Sequence, residues 1–415
     1  MIRTLSFAIA AVTLTIPALA TPVWAAEPDG LVLPPGFHAS VVADGLGPLR
    51  HMAFHGNDLY VSTRHGKDQP GVGIIALHLT PDHKADQTTH FSSVDQGSGI
   101  RLYRGALYAA SGTGVYRFAL AGDALVPAAA PETIVDGLPP GNHAIAFDSE
   151  GDMFVSMDGG GNICTDPKAS KDAKPVGLKP CPNLETKAGI WRFDATKTGQ
   201  KFADGDHFAT GIRNMAAMDW RSGDALYGAM HGRDGTHVAF PELVSAADDD
   251  AIADEMHRVT KGTDFGWPYT YYDGARKMRL ASPEYGGDGK TAAAGDMPVA
   301  AFQPQRPAPV DMAFYTGTMF PRMYRGGAFL AMHGGGADGA VLPNGHGGYN
   351  VTFVPFTANG KAGTPIVFAD GFAGANGKNV KTAAYRPVGV AVGPNGALYV
   401  ADSDKGRIWR ISYGQ

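Results

Sequence analysis

The chain has 415 residues, a formal net charge of −5, 18% charged residues, 56 glycines and 29 prolines. That length admits a large core or several ordinary domains, and the abundance of Gly and Pro favours short strands and turns over long helices. The mild charge, with no basic run or basic-aromatic alternation, excludes nucleic acid as an expected partner.

Residues 1–26 carry Arg3, an apolar run from Leu5 to Ala20, and then the small residues of ALATPVWAA. This pattern predicts a cleaved secretory signal peptide, leaving 27–415 as a single domain. Thr13, Thr15 and Pro17 interrupt the run, and no later stretch reaches the roughly 18 apolar residues of a membrane span. A soluble periplasmic or secreted protein is expected. In an oxidising compartment Cys164 and Cys181, which share one Gly/Lys/Pro-rich segment, most simply form a local disulfide. The alternative, a two-cysteine metal site, lacks nearby histidines at metal-type spacing. There is no CxxCH, so covalent haem is not indicated.

After the lead-in strand LPPGFHASVVADGL, one pattern recurs six times: an apolar strand, a tight polar turn, and an apolar-Tyr-apolar strand ending in small or polar residues. The copies are HMAFHGNDLYVSTRHG from His51, GIRLYRGALYAASGTG from Gly99, AIAFDSEGDMFVSMDGGG from Ala144, MAAMDWRSGDALYGAMHG from Met215, DMAFYTGTMFPRMYRGGAFLAMHG from Asp311, and VGVAVGPNGALYVADSDKG from Val388. Each reads as an antiparallel hairpin. The first two spacings fit one four-stranded propeller blade, and the longer ones require insertions. Outer strands follow in GIIALHL, GVYRFAL, AGIWRFDA, YNVTFVPF and GRIWRISY. The expected fold is therefore all-β, a six-bladed β-propeller with the hairpins innermost and inserted loops in blades three to five. A β-sandwich with fortuitous hairpins is the alternative. Among the insertions, 158–188 reads as an irregular loop holding the cysteines. Residues 242–264 read as a short helix with a Gly stop, and 278–309 as a long polar loop.

A hairpin brings its two ends together, so the residues flanking each copy share one face. They are Arg50, His51, Arg64, His65, Gln96, His143, Asp158, Arg213, Asn214, His231, His333, Arg386 and Asp402. The opposite turns carry ordinary turn residues. Several arginines and histidines around a channel mouth suit an anionic ligand and chemistry needing an acid or base near neutrality.

With these residues in place, the chain resembles the soluble quinoprotein sugar dehydrogenases (glucose and sorbosone dehydrogenase-like), which bind pyrroloquinoline quinone (PQQ) on a six-bladed propeller. The resemblance runs from about Leu33 to Tyr413 and rests on PLRHMAF with LYVSTR, the His143 hairpin, ATGIRNMAAMDW, ADEMHRVTKGTDFGWPY and YRPVGVAVGPNGALYVADSDKGRIWRISY. It implies His143 as general base and Arg213 with Asn214 on the quinone oxygens. It also implies His231 as a PQQ contact, Gly232 and Arg233 as calcium (Ca2+) ligands through their carbonyls, and Asp254 as an acidic residue of the site. Asp158, Gln96 and His333 are further cofactor-binding candidates, and Arg386 matches a carboxylate clamp. The family's second arginine is Ala384 here, and the fifth hairpin continues as HGGGADG instead of with aromatic and basic partners. Either PQQ is held more weakly than in the family, or another cation such as Arg64, Lys381 or Arg407 reaches it.

The resemblance implies oxidation of an aldose or related sugar, with electrons passed to a separate acceptor. Two other functions compete: a calcium-dependent propeller lactonase, which needs acidic and amide ligands around the axis, and a binding propeller without catalysis.

Overall fold

Each expected hairpin is an antiparallel strand pair, and the six first strands stand side by side around one axis. Leu49–His55 neighbours Ile100–Tyr103, followed around the ring by Ile145–Phe147, Ala217–Trp220, Pro309–Phe314 and Pro387–Val392, which returns to Leu49–His55. The structure, a computed structural model, describes residues 25–27, 30–64, 73–92, 97–120, 122, 124–165, 175–303, 307–335, 347–375 and 377–414. The expected signal segment lies outside them except for Ala25 and Ala26, and His65 and Gln96 lie outside them as well.

Among the described residues there are six sheets of at least four strands, one per hairpin. The fold is a six-bladed β-propeller. The third strands are the expected ones in five blades: Ile74–Leu79, Gly114–Ala119, Gly189–Asp194, Asn350–Val354 and Ile408–Tyr413. Short parallel strands stitch neighbouring blades, Gln200–Lys201 on Glu132–Asp136 and Thr263–Asp264 on Asp206–Thr210.

The lead-in strand, Phe37–Ala43, is the outermost strand of the sixth blade and pairs antiparallel with Ile408–Tyr413. It is pinned through Phe37, which meets the rings of Phe320 and Phe368 edge-on at 4.8 and 4.9 Å. Chain closure thus rests on an aromatic cluster shared by the fifth and sixth blades, which includes Tyr324, Phe329 and Phe353. Edge-to-face pairs of this kind add about 0.5–1.5 kcal/mol to the burial of the rings.

The inserted segments differ in part from their expected form. The helix is confined to Ala246–Asp250, capped by Ser245, whose hydroxyl accepts from the Asp248 amide. Asp254–Val259, which reads in sequence as part of that helix, is the buried third strand of blade four and pairs with Leu226–Met230. Its charged residues are masked by partners: Glu255 pairs with Arg279, and His257 Nδ1 lies 2.8 Å from Asp296. Residues 278–309 are not simply a loop either. Met278–Ala281 forms a hairpin with Thr270–Asp273, and Ala300–Phe302 is the outer strand of blade four. Within 158–188 the expected disulfide joins Cys164 and Cys181, and Asn183–Thr186 forms one helical turn where a loop was expected. Among the described residues no helix is long and apolar enough to cross a membrane.

Candidate functional site

The open ends of the hairpins converge on a cavity of about 140 Å³ at one end of the axis. Its wall includes Arg50, Arg64, His51, His231, His333, Asn142, Asn214 and Ser98, and among the described residues no carboxylate. Arg50 and His51 arrive there because they open the first strand of blade one, and Arg64 because it follows the second strand. His231 and His333 follow the second strands of blades four and five.

The charges on this wall are unbalanced. Arg50 donates to the Leu49 carbonyl at 3.2 Å, and among the described residues neither Arg50 nor Arg64 has an ion-pair partner. Burial, together with repulsion from Arg64 and Arg386, pushes the Arg50 guanidinium down to about 10. Arg386, from blade six, packs against the wall residue His333 without itself lining the cavity. Its Nη2 donates to His333 Nδ1 at 3.0 Å and to the Gly334 carbonyl at 2.8 Å. An arginine cannot accept, so His333 is neutral, with its proton on Nε2 and Ser403 Oγ accepting from it at 2.9 Å. Burial first, then the neighbouring cations Arg386, Arg50, His231 and Arg64, hold His333 well below the ordinary histidine range.

Two buried acceptors on the wall lack hydrogen-bond partners. Asn214 gives its Nδ2 to Asp158 Oδ2 at 2.9 Å, which leaves its Oδ1 without a described partner. Burial pushes Asp158 itself up to about 7, although the Met215 amide donates to its other oxygen at 3.2 Å. His51 donates from Nε2 to the Val310 carbonyl at 2.8 Å, which leaves Nδ1 without a hydrogen bond, 3.7 Å from Asp311 Oδ1. Unmet buried polar atoms are costly, and the two at this cavity are groups that a ligand or water would complete.

The other expected residues fall into three groups. His143 stands behind Asn142, 1% exposed, with Nδ1 2.8 Å from the Ser156 carbonyl and Nε2 3.3 Å from that of Gly112. Its burial holds it below the ordinary histidine range. Arg213 is directed away from the cavity wall, where its Nη2 meets Asp234 at 2.6 Å and its Nε meets Asn162 at 3.1 Å. Asp254 is a bracket: one oxygen accepts from the Gly232 amide at 2.7 Å and the other from Ala308 at 2.6 Å. It thereby ties the 231–233 turn to the 307–309 segment, which in turn accepts from His231 Nε2 at 2.8 Å through the Pro309 carbonyl. Gly232 is required by space, because a Cβ there would meet the Ala253 carbonyl oxygen at 2.4 Å. The Arg233 side chain is buried against Glu284 and Thr236.

Of the three cations that could substitute for the arginine absent at Ala384, Arg64 lines the cavity. Arg407 pairs with Asp44, and Lys381 is exposed. Sequence reasoning placed Arg50, next to His51, on the site's face without assigning it a role. Asn142 and Ser98 were missed altogether, since one precedes and the other lies outside the repeated pattern. Among the described residues no cluster of three or more His, Cys, Asp or Glu could hold a metal ion.

A six-bladed propeller with a carboxylate-free, arginine- and histidine-lined pit on its axis is the class that this fold and site define. The chain belongs to the TrAA12-like family, which it matches over residues 31–414. No protein of curated function matches it by sequence. Among solved structures it is similar to the holo form of the pyranose dehydrogenase PQQ domain from Coprinopsis cinerea, with TM-score 0.69 and 16% identity over 93% of this chain and 98% of that one. The calcium structure of the family AA12 carbohydrate-active enzyme from Trichoderma reesei gives 0.70 and 17% over 95% and 99%. The PQQ-bound aldose sugar dehydrogenase from Streptomyces coelicolor gives 0.56 and 19% over 92% and 99%. At these identities the structural likeness is one of fold.

Proposed function

We propose that the protein is an exported, periplasmic or secreted quinoprotein dehydrogenase that oxidises an aldose or related sugar and passes electrons to a separate acceptor. The observation that carries this reading is the convergence of Arg50, Arg64 and three histidines on a cavity whose described wall holds no carboxylate, with Arg386 hydrogen-bonded to the wall residue His333. PQQ is a tricarboxylate, and three guanidiniums would match its charge. When bound, PQQ supplies the hydride acceptor for the sugar carbon. Names borne by solved relatives of the same fold agree with this chemistry.

Arg50, Arg64 and Arg386 would hold the anion, and Asn214 Oδ1 and His51 Nδ1 would accept from it or from substrate. His143 takes the proton of the sugar hydroxyl. Burial keeps its ring neutral, and donation from Nδ1 to Ser156 leaves Nε2 as the basic nitrogen. The Gly112 carbonyl stands 3.3 Å from Nε2, so this proton transfer requires the 111–113 turn to shift or a water to intervene. Calcium has no preformed carboxylate cage among the described residues. It would bind through the Gly232 and Arg233 carbonyls only together with oxygens of the anion, since Ca2+ takes six to eight oxygen ligands. The lactonase alternative is disfavoured by the same lack of acidic ligands on the wall.

Reconstitution with PQQ, with and without Ca2+, followed by sugar-dependent dye reduction across an aldose panel, tests the reading. Tight PQQ binding with turnover is expected, and failure to bind PQQ sinks the proposal. His143→Ala is expected to keep PQQ and lose about 100-fold or more in turnover. Unchanged turnover would remove His143 as the base.

A further inference from the structure

Behind the cavity wall a single file of hydrogen bonds runs to solvent. Arg386 Nη2 donates to His333 Nδ1, His333 Nε2 faces Ser403 Oγ at 2.9 Å, and Ser403 Oγ donates to Asp404 Oδ1 at 2.9 Å. The direction of every bond is fixed by its ends. A guanidinium only donates and a carboxylate only accepts, so the imidazole between them must accept on the arginine side and donate on the serine side. Asp404 is exposed, whereas Ser403 is buried at 3%. The backbone holds the file in register: the Ser403 amide donates to the Arg386 carbonyl at 3.0 Å, and the His333 and Gly334 amides donate to Ala308 and Pro307, each at 2.9 Å.

We infer that Ser403 and Asp404 are positioning residues for the anion site, which lock His333 as the neutral Nε2–H tautomer so that its Nδ1 lone pair holds the Arg386 guanidinium against this wall residue of the cavity. Without them only the Arg386 donation favours the Nε2–H tautomer, and an Nδ1–H ring would present a donor to a donor and turn Arg386 away. A protonated ring would do the same. The titratable and charged groups facing His333 are Arg386, Arg50, Arg64 and His231, with the Asp404 carboxylate one serine away. The arginines favour the neutral ring and Asp404 opposes them. The inference rests on the reading of the cavity as the PQQ site only for the identity of the anion.

The test uses the full chain without cofactor, labelled with 15N at histidine, and measures the ring nitrogens of His333 by NMR from pH 6 to 8. Affinity is then measured separately for PQQ and for benzene-1,2,4-tricarboxylate, a non-redox probe. The wild type is expected to show the Nε2–H tautomer throughout. Ser403→Ala should mix the tautomers and weaken both anions about tenfold, while Ser403→Thr, which restores the hydroxyl, recovers both readouts. Asp404→Asn, at an exposed position that threatens the fold least, should give a smaller shift of the same sign. An Nδ1–H tautomer in the wild type, or anion affinities in Ser403→Ala within twofold of the wild type, overturns the inference. If PQQ fails to bind but the tricarboxylate binds and responds to Ser403→Ala, the clamp stands and the quinoprotein reading falls.

Discussion

Two arginines at different depths of the same channel have opposite electrostatic surroundings. Arg101 opens the first strand of blade two and reaches across the axis to Asp311, with Nη2 to Oδ1 at 2.8 Å, and to the Met218 and Met312 carbonyls. Asp311 is fully buried, and its second oxygen accepts from the Val390 amide at 3.0 Å. Arg101 therefore ties together blades two, four, five and six. Arg50, nearer the mouth, has its own neighbour's carbonyl, two other arginines and the exposed Asp404 carboxylate around it, with no ion pair among the described residues. The first charge is completed within the fold. The second is left for something outside it, which is why depth and pairing, more than residue type, separate scaffold from site.

The sharpest way to break the comparison is at its paired end. Arg101→Met strands the Asp311 carboxylate and should cost about 3–5 kcal/mol of stability in urea unfolding, because removing one member of a buried pair leaves the other uncompensated. A loss below about 1 kcal/mol would show that Asp311 does not depend on Arg101.

Asp158 is the intermediate case, a buried acid whose partner is an amide. Its pKa in the folded protein is raised to about 7, so between the unfolded value near 4 and about 7 the folded state holds a proton that the unfolded state has lost. Stability should therefore fall as pH rises through that window, by on the order of 4 kcal/mol. Asp158→Asn should flatten this part of the stability–pH curve, and an unchanged slope would assign it elsewhere.

At the unpaired end, Arg50→Met should leave the ligand-free protein within about 1 kcal/mol of wild type, or raise its stability by relieving repulsion. PQQ affinity should nevertheless drop about 30-fold, the equivalent of about 2 kcal/mol for a lost charge-assisted contact. A destabilised ligand-free variant would make Arg50 part of the scaffold.

The ring of hairpins and the face carrying their ends were legible in the sequence because strand periodicity and turn chemistry are local. The disulfide was legible for the same reason. What stayed hidden depends on partners far along the chain. Asp254–Val259 looks helical because its acids and His257 find their main partners in Arg279 and Asp296, and in the backbone amides of Gly232 and Ala308, contacts that no local pattern reveals. Arg213, singled out by its Arg-Asn context, is directed outward by Asp234, whereas Arg50, which carries no motif, faces the cavity. Rim membership could be read from spacing, but the orientation of a side chain could not.

The closing strand has a consequence for assembly in time. Phe37–Ala43 is made early in synthesis yet docks on the last strand, Ile408–Tyr413, so it waits for nearly the whole chain to emerge. The same seam brings Arg50 against blade six, where a Cβ on Gly389 would meet the Arg50 carbonyl oxygen at 2.3 Å. Arg50 and Arg386 thus become neighbours only when the ring shuts. An anion that bridges them recognises the closed ring and no earlier form, and by mass action each tenfold excess over its dissociation constant adds about 1.4 kcal/mol against reopening. Ligand capture then acts as the clasp of a necklace whose two ends are made furthest apart.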